Sequence, residues 1–327
     1  MSEAGIDNRM LGLQRSRGVS LIELMVALVI SFALIAGAIQ VYVYSRQNYE
    51  VNEGLAQLQE TARYALSVIE PDIRMANSWG LVKGSGFVDV PTDLDPNECG
   101  ATFATDVMAT LDGSNNKYSL ACPPFGAGAV ASADTLIVRR ASVLPSTGTT
   151  GRLRVCSTRS LGRLVEDTAA CTPPPIGQIN DLIVNAYYID RDADQRPDLP
   201  TLRRYMLSTV SDADEAEIVP GVEDMQIQFG VDPSGTRGIA TRYVNPEEVT
   251  ANSQVVSVRL WLLVRSENPE QGFTDETTYE YGDRAKGNGT TADLDDPGAA
   301  TLAYRPNDRF RRLLISRTIQ IRNAMGI

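Results

Sequence analysis

The longest hydrophobic segment of the chain lies near its N-terminus. No charged residue occurs from Leu24 to Ile39, and the apolar character extends from Val19 to Tyr44. A helix needs about 20 apolar residues to cross a bilayer. The pattern therefore predicts a membrane-spanning helix over 19–44.

The stretch that follows has the spacing of an amphipathic helix. Apolar residues recur at steps of three and four, with polar residues between them: Leu55, Leu58, Ala62, Leu66, Ile69 and Ile73. This predicts one continuous helix over 19–75, with a weak point at Gly54 and another at Pro71. Its second half should place one face against a globular domain formed by 76–327.

The region over 80–133 is rich in glycine, proline, asparagine and aspartate. This composition predicts a long connection with few strands. Beyond it, β-branched and alternating residues predict strands at 135–139, 152–156, 182–189, 202–206, 225–231, 256–264 and 313–321. The simplest architecture is an α+β fold in which the amphipathic half of the helix packs on an antiparallel sheet, since each offers one apolar face.

A short polar leader, residues 1–18, precedes the apolar run and contains Arg9, Arg15 and Arg17. Arginines in this position favour a cytoplasmic leader, with the C-terminal domain on the far side of the membrane. A secretory signal would carry its cleavage site after the apolar region, and no such site stands out here.

Glu23 lies within the first turns of this apolar segment. A carboxylate at membrane depth costs about 2.5–3.5 kcal/mol near a helix centre and less toward an end, so it usually has a functional partner. Cleavage between Gly18 and Val19 would create an α-amine four residues before Glu23, on the same helical face. The same amine of a neighbouring subunit could also neutralise it.

The segment GVSLIELM over 18–25 resembles the class III leader of type IV pilins and type II secretion pseudopilins. It differs at Val19, where many members have phenylalanine. The order of later segments resembles the PilW family of minor pilins: SVIEPDIR at 67–74, YYI at 187–189, PGVEDMQI at 220–227 and VSVR at 256–259. J-type pseudopilins share this layout and are the main alternative.

The PilW resemblance implies a pilin-like, lollipop-shaped minor pilin that enters a priming or tip complex of the pilus. Prepilin peptidase would cut after Gly18 and methylate Val19, and Glu23 would pair with an N-terminal amine during assembly. The implied partners are other minor pilins, the major pilin, the inner-membrane assembly platform and a PilY-type tip adhesin. The protein would span the inner membrane once, with a periplasmic domain, and then enter the pilus. A membrane-anchored periplasmic binding protein is a further alternative, which predicts an uncut leader and tolerance of Glu23→Ala.

The composition argues against catalysis and against nucleic acid as a partner. The chain contains no histidine, which excludes sites built on a histidine base or ligand. A periplasmic hydrolase that uses carboxylates alone is the enzymatic alternative that this leaves. The net charge of −11 gives no overall attraction to nucleic acid.

Four cysteines lie beyond the predicted membrane helix, in an oxidising compartment if the orientation is as predicted. Of the three possible connectivities we favour sequential pairing, Cys99 with Cys122 and Cys156 with Cys171. A metal site built from all four thiolates is the alternative. The spacings are wide and contain no C-x2-C or C-x4-C pair, which disfavours it.

An acidic stretch over 190–198 is the candidate metal site, and calcium is the only cofactor that we consider. Asp190, Asp192, Asp194 and Asp198 occupy positions 1, 3, 5 and 9 of a calcium-loop pattern. However, Gln195 stands where the turn glycine is expected, and a threonine replaces the bidentate glutamate. The alternative is a solvated acidic loop between two strands.

Two further stretches could bind a partner: a basic cluster near the C-terminus and a polar stretch before it. The basic cluster Arg309, Arg311, Arg312 and Arg317 could contact phosphates, but pairing with Asp308 and nearby acids, or keeping a strand edge soluble, is the favoured role. The polar, acidic and glycine-rich stretch over 267–300 predicts an excursion that a partner could order.

Overall fold

A computed structural model describes residues 18–147, 151–166, 171, 177–235, 237–251, 253–284, 291–292, 294 and 302–324. The chain divides into two compact units, Met1–Glu53 and Gly54–Ile327, which are described separately. The predicted excursion over 267–300 lies partly outside the described residues.

Helix α1 covers Leu21–Met75. It begins two residues later than predicted, because Ser20 caps it, and it ends where predicted. In the first unit its apolar side chains are exposed, whereas in the second unit it buries a stripe of residues at steps of three and four: Leu58, Ala62, Ala65, Ile69, Asp72 and Ile73. Leu55, which we placed on the buried face, is 40% exposed.

The strands of the described residues are short in the first part of the globular unit and long in the second. The first seven are β1 (Val88–Asp89), β2 (Leu111–Ser114), β3 (Thr135–Pro145), β4 (Arg154–Ser157), β5 (Gly162–Val165), β6 (Gln178–Asp190) and β7 (Thr201–Leu207). The others are β8 (Ala213–Pro220), β9 (Val222–Asp232), β10 (Arg242–Val244), β11 (Gln254–Arg265), β12 (Thr291–Ala292), β13 (Ala303–Tyr304) and β14 (Arg312–Gln320). Short 3₁₀ turns occur at Ser85–Phe87 and Pro246–Glu248.

The described strands form two principal sheets. In the larger, the order is β1-β5-β4-β6-β3-β2, with β7 paired to β6 and β8 to β7. In the smaller, the order is β10-β9-β11-β14 and all pairs are antiparallel. The α+β fold with a long N-terminal helix is confirmed. The strands differ from the expected single antiparallel sheet, since β1 and β5 are parallel and β12 pairs only with β13.

The chain passes from the larger to the smaller sheet at Gly221, and this turn divides the predicted sheet in two. Gly221 has φ +89°, a left-handed conformation that favours glycine. A Cβ at this position would lie 3.0 Å from the carbonyl oxygen of Arg265. Two backbone hydrogen bonds fix the turn. The Gly221 N–H donates to the Pro200 carbonyl, and the Gly221 carbonyl accepts from the Arg265 N–H.

Two apolar cores lie in the globular unit. One joins the buried stripe of α1 to both principal sheets and includes Tyr187 of β6, Phe229 of β9 and Leu260 of β11. The other includes Trp79 and Val184 and lies under the connection that contains Cys99 and Cys122. The second half of α1 is therefore part of the folded domain.

Candidate functional site

The start of α1 is a reciprocal cap formed by Ser20 and Glu23. The Glu23 N–H donates to Ser20 Oγ at 3.2 Å, and the Ser20 N–H donates to Glu23 Oε2 at 3.4 Å. This is a capping box, which satisfies two backbone donors that a helix start leaves free. Because of it, the carboxylate of Glu23 points back toward the N-terminal end of the helix, one residue from Val19.

The residues that follow this cap expose an apolar surface. Leu21 is 78% exposed and Phe32 68%, and no residue from 18 to 50 is buried. Within the described residues, α1 is the helix that is long and apolar enough to cross a membrane. Exposure of an apolar surface of this length to water is unfavourable, so this part of the helix requires lipid or other subunits around it.

The predicted processing site lies immediately before the cap. Gly18 and Val19 are non-helical and exposed, and a side chain at Gly18 would meet no atom within 4 Å. The leader over 1–17 lies outside the described residues. Cleavage after Gly18 would leave the α-amine of Val19 next to the Ser20 N–H, which already donates to Glu23. The sequence pattern S-x-x-E at 20–23 carries the signal for this cap, and our sequence analysis did not use it.

The structure contains both disulfides in sequential pairing. Cys99 bonds to Cys122 and Cys156 bonds to Cys171, with Cα–Cα distances of 4.2 and 6.0 Å. Cys99 and Cys122 are buried beside Tyr118, whose hydroxyl donates to the Cys122 carbonyl at 2.8 Å. These bonds close loops in the connection to the larger sheet and between β4 and β6.

The acidic loop over 190–198 uses its carboxylates within the fold. Asp192 accepts from the N–H groups of Ala127 and Asp198, at 2.7 and 2.9 Å. Asp194 accepts from Arg203 at 2.9 Å. Asp190 is fully buried and accepts from the Asp192 N–H at 3.1 Å, and burial raises the pKa of its carboxyl group.

These four side chains do not converge on one point. Across the described ranges, no group of three or more histidine, cysteine, aspartate or glutamate side chains is arranged to hold a metal ion. Asp198 has φ +64°, a left-handed conformation that is uncommon for a residue other than glycine. Calcium binding by this loop stays a prediction.

The basic cluster near the C-terminus is largely paired with acids. Arg312, whose side chain is fully buried, donates to Glu223 at 2.6 Å and to Asp308 at 2.7 Å, and Arg311 donates to Glu270 at 2.9 Å. Burial acts to raise the pKa of Asp308, but the hydrogen bonds from Arg312 and the Phe310 N–H and the positive charges of Arg312 and Arg265 together lower that pKa. The cluster is thus built mainly into the fold.

A polar site that the sequence analysis missed lies on the buried face of α1. Asp72, 6% exposed, accepts from Arg140 at 2.7 Å and from the Tyr187 hydroxyl at 2.6 Å, and Asn185 also donates to it. Burial and the negative charge of Asp72 raise the pKa of Tyr187 well above its usual range. The only sequence signal was an aspartate at a position that continues the apolar stripe.

The two ends of the chain match known families. Residues 13–39 match the prokaryotic N-terminal methylation motif, and residues 186–323 match Type IV Pilus-assembly protein W. No curated protein matches the sequence significantly. A type IV-like pilin from Thermus thermophilus is similar in structure over 82% of this chain and 96% of its own, with 11% identity and a TM-score of 0.37.

The two family matches agree with the geometry at each end. The methylation motif covers the exposed processing site, the cap and the apolar helix, and the second match covers β7 to β14 together with the end of β6. Together they include about half of the chain. Together the two matches support a minor pilin of the PilW type that takes part in type IV pilus assembly.

Proposed function

We propose that this minor pilin is made as a prepilin, cut after Gly18 by a prepilin peptidase and methylated on the new amine of Val19. The match to the methylation motif supports this, as does the exposure of both residues. A Cβ at Gly18 would meet no atom of the described residues within 4 Å, which supports a scissile bond that is open to an enzyme. The inner membrane would hold the precursor through the apolar part of α1.

Glu23 is the residue that we assign to assembly. Its carboxylate is the one charge between Gly18 and Ile39, and its hydrogen-bond partner is the exposed amide of Ser20. That single bond to a backbone amide leaves most of its acceptor capacity free. Within an apolar surrounding a charged partner would lower the cost of the carboxylate. The N-terminal amine of this or a neighbouring subunit supplies that charge in the filament.

The globular unit would work in the periplasm, in a complex with other minor pilins that primes or caps the filament. There it would contact the major pilin, the assembly platform and a PilY-type tip adhesin. Its role is structural rather than catalytic, which agrees with a chain that has no histidine. The observation that carries the whole proposal is the Ser20–Glu23 cap at the start of an exposed apolar helix in a PilW-family chain.

The test is the mass of the N-terminal peptide from the membrane fraction, with and without prepilin peptidase. We expect a peptide that begins at methylated Val19, and an uncut precursor for Gly18→Val. Glu23→Ala should be cut normally but be absent from sheared pili. Glu50→Ala, which changes an exposed glutamate later in the same helix, is the matched control and should enter pili.

Three outcomes would contradict parts of this proposal. An intact Met1, or a cut after the apolar run, would mean a plain anchor or a secreted domain. Pili that contain Glu23→Ala at the normal level would remove the assembly role of this carboxylate. Co-purification with type II secretion pseudopilins alone would instead favour the J-type alternative, which the family match does not favour.

A further inference from the structure

Strand β14 forms one edge of the smaller sheet. Over the part of the chain that the structure describes, it pairs with β11 alone, from Ser257 opposite Gln320 to Arg265 opposite Arg312. The N–H and C=O groups on its other side therefore have no strand partner. Such an edge is a template on which an extended segment of another chain can add as a further strand.

A groove of about 800 Å³ lies between the end of β14 and the last turns of α1. It is lined by Ser67, Glu70, Pro71, Arg74 and Met75 on the helix and by Gln320, Ile321 and Arg322 after the strand. The Arg322 N–H donates to the Arg74 carbonyl at 2.9 Å and joins the strand end to the helix. Ser316, Arg317 and Thr318 of β14 precede the lining residues in the chain and are all exposed.

This groove is basic although the chain is acidic overall. The side chains of Arg74 and Arg317 are 62% and 58% exposed, and Arg322 is exposed as well. The single acid among the lining residues is Glu70, which pairs with Arg74 and lies 3.7 Å from Arg317. Arg74 and Arg322 line the groove, and Arg317 of β14 lies beside it, near Glu70. Arg74 and Arg317 thus share one carboxylate and Arg322 adds a third exposed guanidinium, so acidic side chains on an incoming strand would be favoured.

The charges argue against a second copy of this chain as the occupant. Residues 312–322 contain three arginines and no acid, so pairing β14 with β14 of another copy would place like charges together. Strand β8, the acidic edge strand of the larger sheet, cannot supply the acidic side chains from a second copy. Its Glu215 and Glu217 side chains pair with the buried Arg203.

We propose that the free edge of β14 and the basic groove beside it bind an extended acidic segment of another pilus subunit, which adds as a strand to the smaller sheet. This rests on the proposed function for the identity of the partner as a pilus subunit. The competing explanation is that Arg317 only protects the edge against aggregation, a common use of charge on edge strands. That explanation predicts no preference for an acidic strand.

The test uses the full chain in detergent micelles and two nine-residue peptides that alternate threonine and valine with either glutamate or lysine. We expect the glutamate peptide to bind, with slowed hydrogen exchange of the amides of β14, and the lysine peptide not to bind. Arg317→Glu combined with Arg322→Glu should weaken binding of the glutamate peptide at least tenfold and create binding of the lysine peptide. Because affinity is gained as well as lost, misfolding cannot explain this result.

Arg309→Glu is the control, since it reverses an exposed arginine that neither lines the groove nor lies in β14. It should leave both affinities unchanged. Equal binding of the two peptides, no binding at all, or protection of amides outside β14 would overturn the proposal. Self-association of the chain that protects the β14 amides would place a second copy there and would also overturn it. None of these measurements needs cleavage or assembly, so failure here is distinguishable from failure of the proposed function.

Discussion

Arg140 of β3 donates two hydrogen bonds to one carboxylate oxygen of Asp72, from Nη2 at 2.7 Å and from Nε at 3.1 Å. Both side chains are mostly buried, at 14% and 8% exposed. The other oxygen of Asp72 accepts from Asn185 and from Tyr187 at 2.6 Å. This ion pair therefore ties the last turns of α1 to two adjacent strands of the larger sheet.

Removal of the Asp72 carboxylate should destabilise the globular unit strongly. Asp72→Ala leaves Arg140 buried without its partner, and breaking one side of a buried pair costs about 3–5 kcal/mol. Urea denaturation followed by tryptophan fluorescence, to which buried Trp79 and half-buried Trp261 contribute, measures this. Glu60→Ala, which removes an exposed acid from the same helix, should change the free energy of unfolding by less than about 0.5 kcal/mol. Equal effects of the two variants would show that the pair contributes little.

The Ser20 cap should matter for the start of α1 but not for processing. Ser20→Ala removes the acceptor of the Glu23 N–H, and losing an N-cap side chain costs about 1 kcal/mol. Hydrogen exchange of the amides of the first helical turn in micelles should become faster, while cleavage after Gly18 continues. Ser31→Ala is the control, because its hydroxyl bonds to the Ala27 carbonyl in the middle of the helix. Unchanged exchange in Ser20→Ala would mean that the cap does not form in a membrane-like environment.

Each disulfide should contribute a similar amount to stability. The two bonds join residues 23 and 15 positions apart, and the chain-entropy model assigns about 3 kcal/mol to loops of this size. Replacing Cys99 and Cys122 together by serine, or Cys156 and Cys171 together, should lower the free energy of unfolding by that amount. Denaturation with and without reductant measures it. Each double variant should still respond to reductant through its remaining disulfide, and replacement of all four cysteines should remove that response.

Acid should weaken the loop that Asp232 organises after β9. The Ser234 hydroxyl lowers the pKa of Asp232 to about 2 from 3.8, against the effect of burial, and the N–H groups of Arg237 and Gly238 add to this. Because the folded pKa is the lower one, the stabilisation is complete above about pH 4 and is lost as the pH falls toward 2. Asp232→Asn should therefore lose less stability over this range than the wild type. Asp214→Asn, an exposed control, should follow the wild type.

We expect calcium binding by the loop over 190–198 to be weak. An ion would compete with the N–H groups that donate to Asp192 and with Arg203, which donates to Asp194. We expect a dissociation constant in the millimolar range, typical of the weakest calcium modules. Titration calorimetry of the wild type and of Asp192→Asn measures this. No heat at millimolar calcium, or equal heat for both proteins, would remove the calcium prediction.

Several features could be predicted from the sequence because neighbouring residues determine them. The apolar run, the three- and four-residue spacing up to Met75 and the strand patterns at 182–189, 225–231 and 256–264 each depend on local periodicity. The structure places α1, β6, β9 and β11 over these segments. The processing site and Glu23 lie in a contiguous motif, and the family could be recognised from motifs in chain order. Hydrophobicity and spacing act over a few residues, so they are visible in the sequence.

Other features were decided only by the tertiary structure, because they join residues far apart in the chain. Asp72 meets Arg140 and Asn185 across 68 and 113 positions. Arg312 meets Glu223 across 89 positions, and this pairing adds to the local pairing with Asp308 that the sequence favoured. The pairing of a charged side chain depends on which strands become neighbours and on where the chain changes sheet, as it does at Gly221. No local pattern encodes those distances, so the sequence predicted which segments become helix and strand, and packing determined the partners of their polar groups.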